Sequence, residues 1–463
     1  RLMQILYTPM FSKKDLNSDS NYVLLANFAR QLRHLRPDWH VYVPWPNSKS
    51  GFRYDSDGLF NQSNITRIPM SFYGGRHLET LAFLPVQWKK LSNSLLYHIH
   101  WANDIEKIGC YRSLVQSSDR IRRPIIIGHH HYMIHPSTGY DIKKDESILL
   151  RQLTGSIVAD RVIFNSNHCK NMFIDMASTY LSSSKKNDII KKSDIVHLGP
   201  ALANQTRKRS QIMTIVYNHR LQSYKNYQTT FDLFSELWKE GFKFKVLVTG
   251  TSNTNAIKIK KYPFVEFRIC LTHKEYLLTL SEADLNVTNS QHETFCISAV
   301  ESMMFGQLLI APNGVTFPEI TGANNNKYPF LFDSLKEQKD ILIKIFKNPS
   351  LIDRWGDVLR DYVVSKFNQK LWAMRHITIM ESELEDLPEA KTNEKAHDAF
   401  LSTLRRNEKK PASVFIQDLI RQNYFNLGQS WPMFRILKQL NQMDYQITNK
   451  NGNQILMRKH NDG

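Results

Sequence analysis

A chain of 463 residues with 41% hydrophobic and 11% aromatic residues has room for two domains and an extension, at roughly 150 residues per domain, and too much apolar content to stay disordered. Its formal charge of +18 suits a phosphate-rich partner, since each neutralised phosphate releases counterions; a well-solvated basic enzyme, or one facing anionic lipid, would carry the same charge. No apolar run approaches the roughly 18 residues of a membrane span, and Cys110, Cys169, Cys270 and Cys296 lack metal-ligand spacing, which reads as free thiols in a reducing cytoplasm.

In chain order, Met3–Tyr7 reads as a strand and Asn21–Leu35 as an amphipathic helix, with strands following at His40–Val43 and Leu95–His100. Asp55-Ser56-Asp57 spells a metal-binding DxD but reads as a loop accident. The Asn-x-Ser/Thr matches at Asn61, Asn64, Asn204 and Asn286 read as chance. Pro124–Gly128 is a buried strand, Val158–Asn165 runs from a helix end into a strand, and Asp194–His197 closes this first series. The polar, basic stretch Ala201–Gln211 reads as a linker. The pattern then restarts with strands at Ile212–Tyr217, Phe244–Val248, Val265–Arg268, Leu285–Val287 and Leu308–Ala311. Helices lie between them at Tyr227–Glu240, Lys274–Leu280 and Ile297–Phe305. Strands alternating with helices make an α/β chain of two Rossmann-like units, at 1–205 and 206–385, which present loops to a shared cleft.

Residues 386–463 begin as an acidic tether. Two helices at Val414–Gln422 and Pro432–Met443 follow, then a hairpin of Tyr445–Ile447 and Ile455–Arg458 turned by Asn449–Asn453. Helix, helix and hairpin make a small winged-helix-like α+β extension. Arg421, Arg435, Lys438, Lys450 and Arg458 are its candidate nucleic-acid contacts, with Lys459 beside them. A packing appendage or dimer contact is the alternative. Basic clusters elsewhere stand at Arg120/Arg122/Arg123, Lys185/Lys186/Lys191/Lys192, Arg207/Lys208/Arg209 and Lys258/Lys260/Lys261.

Two constellations carry chemistry. Glu293 and Glu301 stand eight apart, the first in a strand-to-helix loop and the second about two turns into the helix. Such carboxylates can accept the paired hydroxyls of a sugar and of a ribose, and the free N–H groups at Cys296 and Ile297 favour a phosphate. Helical glutamate pairs are also common on solvated faces. Arg220 and Lys225 follow the first strand of the second unit, where two cations suit a pyrophosphate whose charge rises as the sugar–phosphate bond breaks. In the first unit, His98 and His100 fall on one strand face and His129-His130-His131 follow an apolar strand. These histidines could orient an acceptor hydroxyl, hold zinc or serve structure.

On these residues the chain resembles retaining family-4-type GT-B glycosyltransferases, whose signatures are an Arg…Lys pair and a Glu-x7-Glu. Ala159-Asp-Arg-Val-Ile-Phe-Asn-Ser166 resembles their "ADRVIANS" strand and Thr316-Phe-Pro-Glu-Ile320 their "GGxPEI" segment. The resemblance covers residues 1–385 and is strongest over 212–320. Asn218-His219-Arg220 and His292–Cys296 most resemble the enzymes that add a sugar to queuosine in tRNA. The family's pattern departs at Thr294 and Cys296, where glycines are usual, at Asn17–Ser20 and at Cys270.

What the resemblance implies is a GT-B fold binding a UDP- or GDP-linked sugar without a metal or other cofactor. Arg220 and Lys225 would hold the diphosphate, Glu301 the ribose, and Glu293 the transferred sugar. Thr294, Phe295, Cys296 and Ile297 would cradle phosphate, with Gly250 in the same donor set and His131 at the acceptor edge. Transfer would retain configuration. Charge and tail together suggest an acceptor hydroxyl on a modified base in nucleic acid, hydroxymethyl-pyrimidine DNA ahead of queuosine tRNA, in the cytoplasm (the host's, for a phage protein). A polysaccharide or lipid acceptor is one alternative. A catalytically inactive nucleic-acid-binding protein is another, opposed by the intact Arg220, Lys225, Glu293 and Glu301.

Overall fold

Short runs of valine, isoleucine and leucine become strands covered on both faces, as parallel sheets require. The computed structural model describes residues 3–8, 20–46, 60–70, 99–102, 104–105, 125–138, 142–201, 206–208, 210–250, 254–269, 272–385, 410–411, 445–450 and 453–458. Seven strands form the first sheet: β1 (Met3–Thr8), β2 (Trp39–Pro46), β3 (Ile65–Met70), β4 (Ile99–Ala102), β5 (Ile125–His130), β6 (Arg161–Phe164) and β7 (Ser193–Ile195). They lie in the order β3-β2-β1-β4-β5-β6-β7, every pair parallel.

The second sheet repeats the plan with β8 (Met213–Tyr217), β9 (Phe244–Gly250), β10 (Val265–Ile269), β11 (Leu285–Val287), β12 (Leu308–Pro312) and β13 (Leu331–Phe332). Its order is β10-β9-β8-β11-β12-β13, again all parallel. In each sheet the chain steps outward on one side, then returns to the middle to step outward on the other. The reversals fall between β1 and β4 and between β8 and β11. Loops diverge beyond the strand ends at such points and leave a crevice for ligand.

Helices cover both sheets with their apolar stripes. Along Tyr227–Lys239 the buried residues Tyr227, Thr230, Phe231, Phe234 and Leu237 recur at helical spacing. The helix Gln369–Glu385 leaves the second unit and packs on the first. There Trp372 meets Phe28 and Trp101 edge-on or tilted, each at 5.8 Å, and Arg161 Nε donates to Glu383 Oε1 at 2.6 Å. Gly199 lets this crossing close: a Cβ there would stand 2.5 Å from the Asn368 carbonyl oxygen and the Trp372 Cβ.

Several elements differ from expectation. β3 has too mixed a sequence to stand out as a strand. The helix Ser20–Leu35 is buried at Tyr22, Leu24, Leu25, Ala26, Asn27, Phe28, Ala29 and Leu32, wider than one amphipathic stripe, because sheet and returning helix cover it from two sides. β5 continues through His129 and His130 and pairs them with Ile163 and Phe164, so only His131 of the three follows the strand. Arg207, grouped with the linker's basic residues, is only 10% exposed and ion-paired to Asp284 (2.7 Å) and Asp353. Lys192 likewise turns inward, donating to the carbonyls of Ile157 (2.8 Å) and Ala159 (2.5 Å).

In the tail, β14 (Lys410–Pro411), β15 (Tyr445–Lys450) and β16 (Asn453–Arg458) form an antiparallel sheet in the order β14-β16-β15. The hairpin is longer than expected, pairing as far as Lys450 with Asn453. Tyr445 pairs with Arg458 at the other end, so Lys450 and Arg458 stand at opposite ends, roughly 17 Å apart along the strands. Arg421, Arg435, Lys438, Lys459, both expected helices, Asp55–Asp57, His98, Cys110 and Cys270 lie outside the described residues.

Candidate active site

The loops after β8 and β11 meet at the second unit's switch point and bring Lys225 onto Glu293. The ammonium donates to Glu293 Oε1 at 2.5 Å and to the His292 carbonyl at 3.4 Å, with the pair's side chains 13% and 10% exposed. His219 Nδ1 stands 3.9 Å from the same carboxylate and 3.3 Å from Ser298 Oγ. Burial by itself would raise the Glu293 carboxyl; the Lys225 ammonium, with His219 beside it, reverses this and holds it below the usual carboxylate range. Burial likewise pulls Lys225 down, and the Glu293 charge outweighs it, so the lysine titrates above its ordinary value. Burial drives His219 down to about 4, against the opposing pull of Glu293, and leaves a neutral imidazole at pH 7. Arg220 is exposed, and its guanidinium pairs with none of the described residues.

Glu301 stands on the helix Ile297–Met304, in a contrasting environment. Its Oε2 accepts the Tyr276 hydroxyl at 2.8 Å, and Tyr276 in turn accepts from Asn218 Nδ2 at 3.1 Å. Burial pushes the carboxyl up to about 7, only partly offset by the tyrosine's hydrogen bond. Of two glutamates eight apart, one is thus held as an anion by a lysine and the other is poised to gain or lose a proton near neutrality.

Between them the loop Thr294–Cys296 is tied to the first unit. Thr294 Oγ1 donates to the His131 carbonyl at 2.5 Å and accepts from Asn165 Nδ2 at 2.9 Å, and Ser166 Oγ donates to the Thr294 carbonyl. Phe295 is buried against the rings of His197 and Phe367, at 5.9 and 5.4 Å. Cys296 takes the left-handed conformation, φ 62°, and starts the helix at Ile297 without any side-chain cap, which leaves the first-turn N–H groups available to an anion. Gly250 ends β9 opposite Ile269.

The histidines divide. His130 is a core residue: its ring stacks on Phe164 at 4.9 Å and its Nε2 meets Ser156 Oγ at 2.8 Å. His129 is buried in β5 with its ring 4.1 Å from that of His131 and 6.0 Å from His376. His131 stands at the β5 terminus, where its carbonyl meets Thr294, and burial lowers its imidazole to about 3, so it is neutral at physiological pH. Metal-ligand types gather elsewhere among the described residues, at His219, Glu293 and Cys296, with ligand atoms within 4.8 Å of one another. The Lys225 ammonium already occupies that carboxylate.

A second contact across the two units is Glu319. Its carboxylate accepts from Asn167 N (3.0 Å), Asn167 Nδ2 (2.8 Å) and His168 N (3.4 Å) at the start of the helix Asn167–Tyr180, and meets His197 Nε2 at 2.6 Å. Tyr276, Ser298 and His197 carry no local signal as site residues, because their partners lie 25, 79 and 122 positions away. Asn218, Glu319, Asn165 and Ser166 do stand inside the motifs that carry the resemblance, without a role.

Residues 200–360 match the family model described as Glycosyl transferases group 1. Over 231 residues the chain is 22% identical to the tRNA-queuosine alpha-mannosyltransferase of Drosophila melanogaster, a match taking in 44% of this chain and 60% of that relative. Sucrose-phosphate synthase from Thermosynechococcus elongatus superposes with a TM-score of 0.66 at 14% identity, over 83% of this chain and 100% of its own. HepE from Anabaena, in complex with UDP and glucose, superposes with a TM-score of 0.60 at 13% identity, over 83% and 100%. The fold is therefore GT-B: two parallel-sheet Rossmann-like units. Among the described residues no helix is long and apolar enough to cross a membrane.

Proposed function

We propose that the chain is a retaining glycosyltransferase that moves a sugar from a nucleotide-diphosphate sugar to a hydroxyl on a modified base in nucleic acid. The observation that carries the donor half is the meeting of Lys225, Glu293 and His219 at a topological switch point, with Glu301 on the helix that follows. In this reading Arg220 and Lys225 neutralise the diphosphate, Glu301 takes the ribose hydroxyls and Glu293 the hydroxyls of the transferred sugar. The open N–H groups around Cys296 and Ile297 face phosphate, and Gly250 borders the nucleotide. Arg220, exposed and unpaired among the described residues, would swing onto the leaving diphosphate. Lys225 would be shared between Glu293 and phosphate, so the cationic charge comes from side chains, without a metal. His131, neutral and adjacent to Thr294, borders the acceptor. The leaving phosphate itself takes the acceptor proton.

Two acceptors fit. The +18 charge and the tail's hairpin, with Lys450 and Arg458, favour hydroxymethyl-pyrimidine DNA, whereas similarity to the Drosophila enzyme favours queuosine in tRNA. The test offers UDP- and GDP-sugars with hydroxymethylated DNA, tRNA and a lipid acceptor, and reads mass gain and the anomeric configuration of the product. Gain on DNA or tRNA with the donor's configuration is expected, and Glu293→Gln should cut it by roughly 10²–10³-fold. Gain on lipid alone would overturn the nucleic-acid reading.

A further inference from the structure

The phenol of Tyr276 is the polar end of a residue that otherwise packs as a hydrophobe. It sits on the helix His273–Ser281 beside the core of Val216, Leu247, Leu280 and Phe305, where a phenylalanine would bury the same ring. Its hydroxyl reaches past that core into a line of hydrogen bonds. Asn286 Nδ2 donates to Asn218 Oδ1 at 2.8 Å, Asn218 Nδ2 donates to the Tyr276 hydroxyl at 3.1 Å, and Tyr276 donates to Glu301 Oε2 at 2.8 Å. Every donor points the same way and the line ends on a carboxylate, so each bond strengthens the next. Asn218 is itself anchored to the Ser298 carbonyl at 2.9 Å, and Asn286 to Ser302 Oγ at 2.9 Å. Tyr276 takes one oxygen of Glu301 and leaves the other without a partner among the described residues.

We propose that Tyr276 is the positioning residue of the donor carboxylate, pinning Oε2 of Glu301 so that Oε1 is presented to the ribose hydroxyls of a nucleoside diphosphate; this rests on the donor-site reading above. Ribose hydroxyls donate, so they bind the carboxylate rather than the carboxylic acid. The Glu301 carboxyl is raised to about 7 by burial, with the Tyr276 hydrogen bond as its opposing influence. The other titratable groups facing Tyr276 are the Cys296 thiol, which burial keeps neutral, and the His273 ring, 6.3 Å away on the same helix. Nucleotide affinity therefore rises as pH climbs through neutrality. Loss of the phenol removes a donor that favours the anion and moves this rise to higher pH.

The test is calorimetric titration of the full chain with UDP and GDP, then with the 2′,3′-dideoxy form of the tighter one, from pH 6 to 8.5. Tyr276→Phe is expected to weaken the ribonucleotide roughly tenfold at pH 7, to shift the pH midpoint upward, and to leave the dideoxynucleotide unchanged. Asn218→Ser, which removes the donor behind Tyr276, should shift the midpoint the same way by less. Wild-type behaviour in both variants while Glu301→Gln weakens binding would overturn the role of Tyr276 and keep the donor site. Equal weakening of both nucleotides by Tyr276→Phe would also overturn it, as mere packing. Ribonucleotide binding that Glu301→Gln leaves intact would instead sink the ribose assignment beneath it.

Discussion

Glu293 and Glu301 share a side chain and a short stretch of backbone, yet their carboxyls move in opposite directions. The difference is the partner: an ammonium at 2.5 Å for one, a neutral phenol at 2.8 Å for the other. Desolvation penalises both anions, and only a full opposite charge outweighs it. This gives Glu301 a signature in stability. Its carboxyl is raised from 4.5 to about 7 by folding, so its protonated form stabilises the fold below pH 4.5, and that contribution is lost as pH rises through 7. Glu301→Gln, which keeps the shape and cannot ionise, should therefore melt increasingly above wild type from pH 5 to pH 8, by on the order of 3 kcal/mol at the upper end. A melting difference flat across that range would contradict the burial argument.

At the scale of elements, the start of the helix Ile297–Met304 and the end of β5 decide the site. The helix begins from a left-handed residue, which costs a non-glycine side chain about 1–2 kcal/mol. Cys296 carries that cost at φ 62° while its side chain is buried, 6% exposed. Cys296→Gly should stay within about 1 kcal/mol of wild type in thermal melting, since relieved strain offsets the lost burial and the looser unfolded chain. Cys296→Val, β-branched at positive φ, should lose about 2 kcal/mol or more; equal melting of Val and Gly variants would show that the strain is not real. The Glu-x7-Glu spacing and the glycine-like role of position 296 were legible in the sequence. The extent of β5 was not, because His129 and His130 read as loop-forming polar residues until a neighbouring strand and the helix Ile142–Val158 cover them. The same blindness made Arg207 a linker cation, although the acids that bury it lie 77 and 146 residues away.

Across the whole molecule, two strips of polar contact between loops join the units among the described residues, beside the Arg161–Glu383 ion pair on the returning helix. Thr294 reaches His131, Asn165 and Ser166, and Glu319 caps the helix Asn167–Tyr180 while meeting His197. A carboxylate at a helix N-terminus gains from the free N–H groups and from the helix dipole together. Burial by itself would raise Glu319, and the bonds from His197 and Asn167 bring it below the ordinary carboxylate range, which marks them as charge-assisted. Glu319→Ala should weaken the coupling between the units by roughly 2–3 kcal/mol. Small-angle scattering should show a larger radius of gyration, and calorimetry two separated transitions in place of one. A scattering profile and a single transition indistinguishable from wild type would remove Glu319 as a clasp.

The sequence by itself determined the periodicities that make two α/β units, the Arg220/Lys225 and Glu293/Glu301 pairs, and the loops on which they stand. These are local properties, set by side-chain type and by spacing along one strand–loop–helix unit. Only the tertiary structure decided which glutamate is an anion, which histidine leaves its strand, and which cations point inward. It also showed that a threonine in a glycine's place fastens the loop Thr294–Cys296 to the opposite unit. Those outcomes depend on burial and on partners far along the chain; for Lys225 and Glu293, the reversal of strand order at β8 and β11 brings the two within hydrogen-bonding distance.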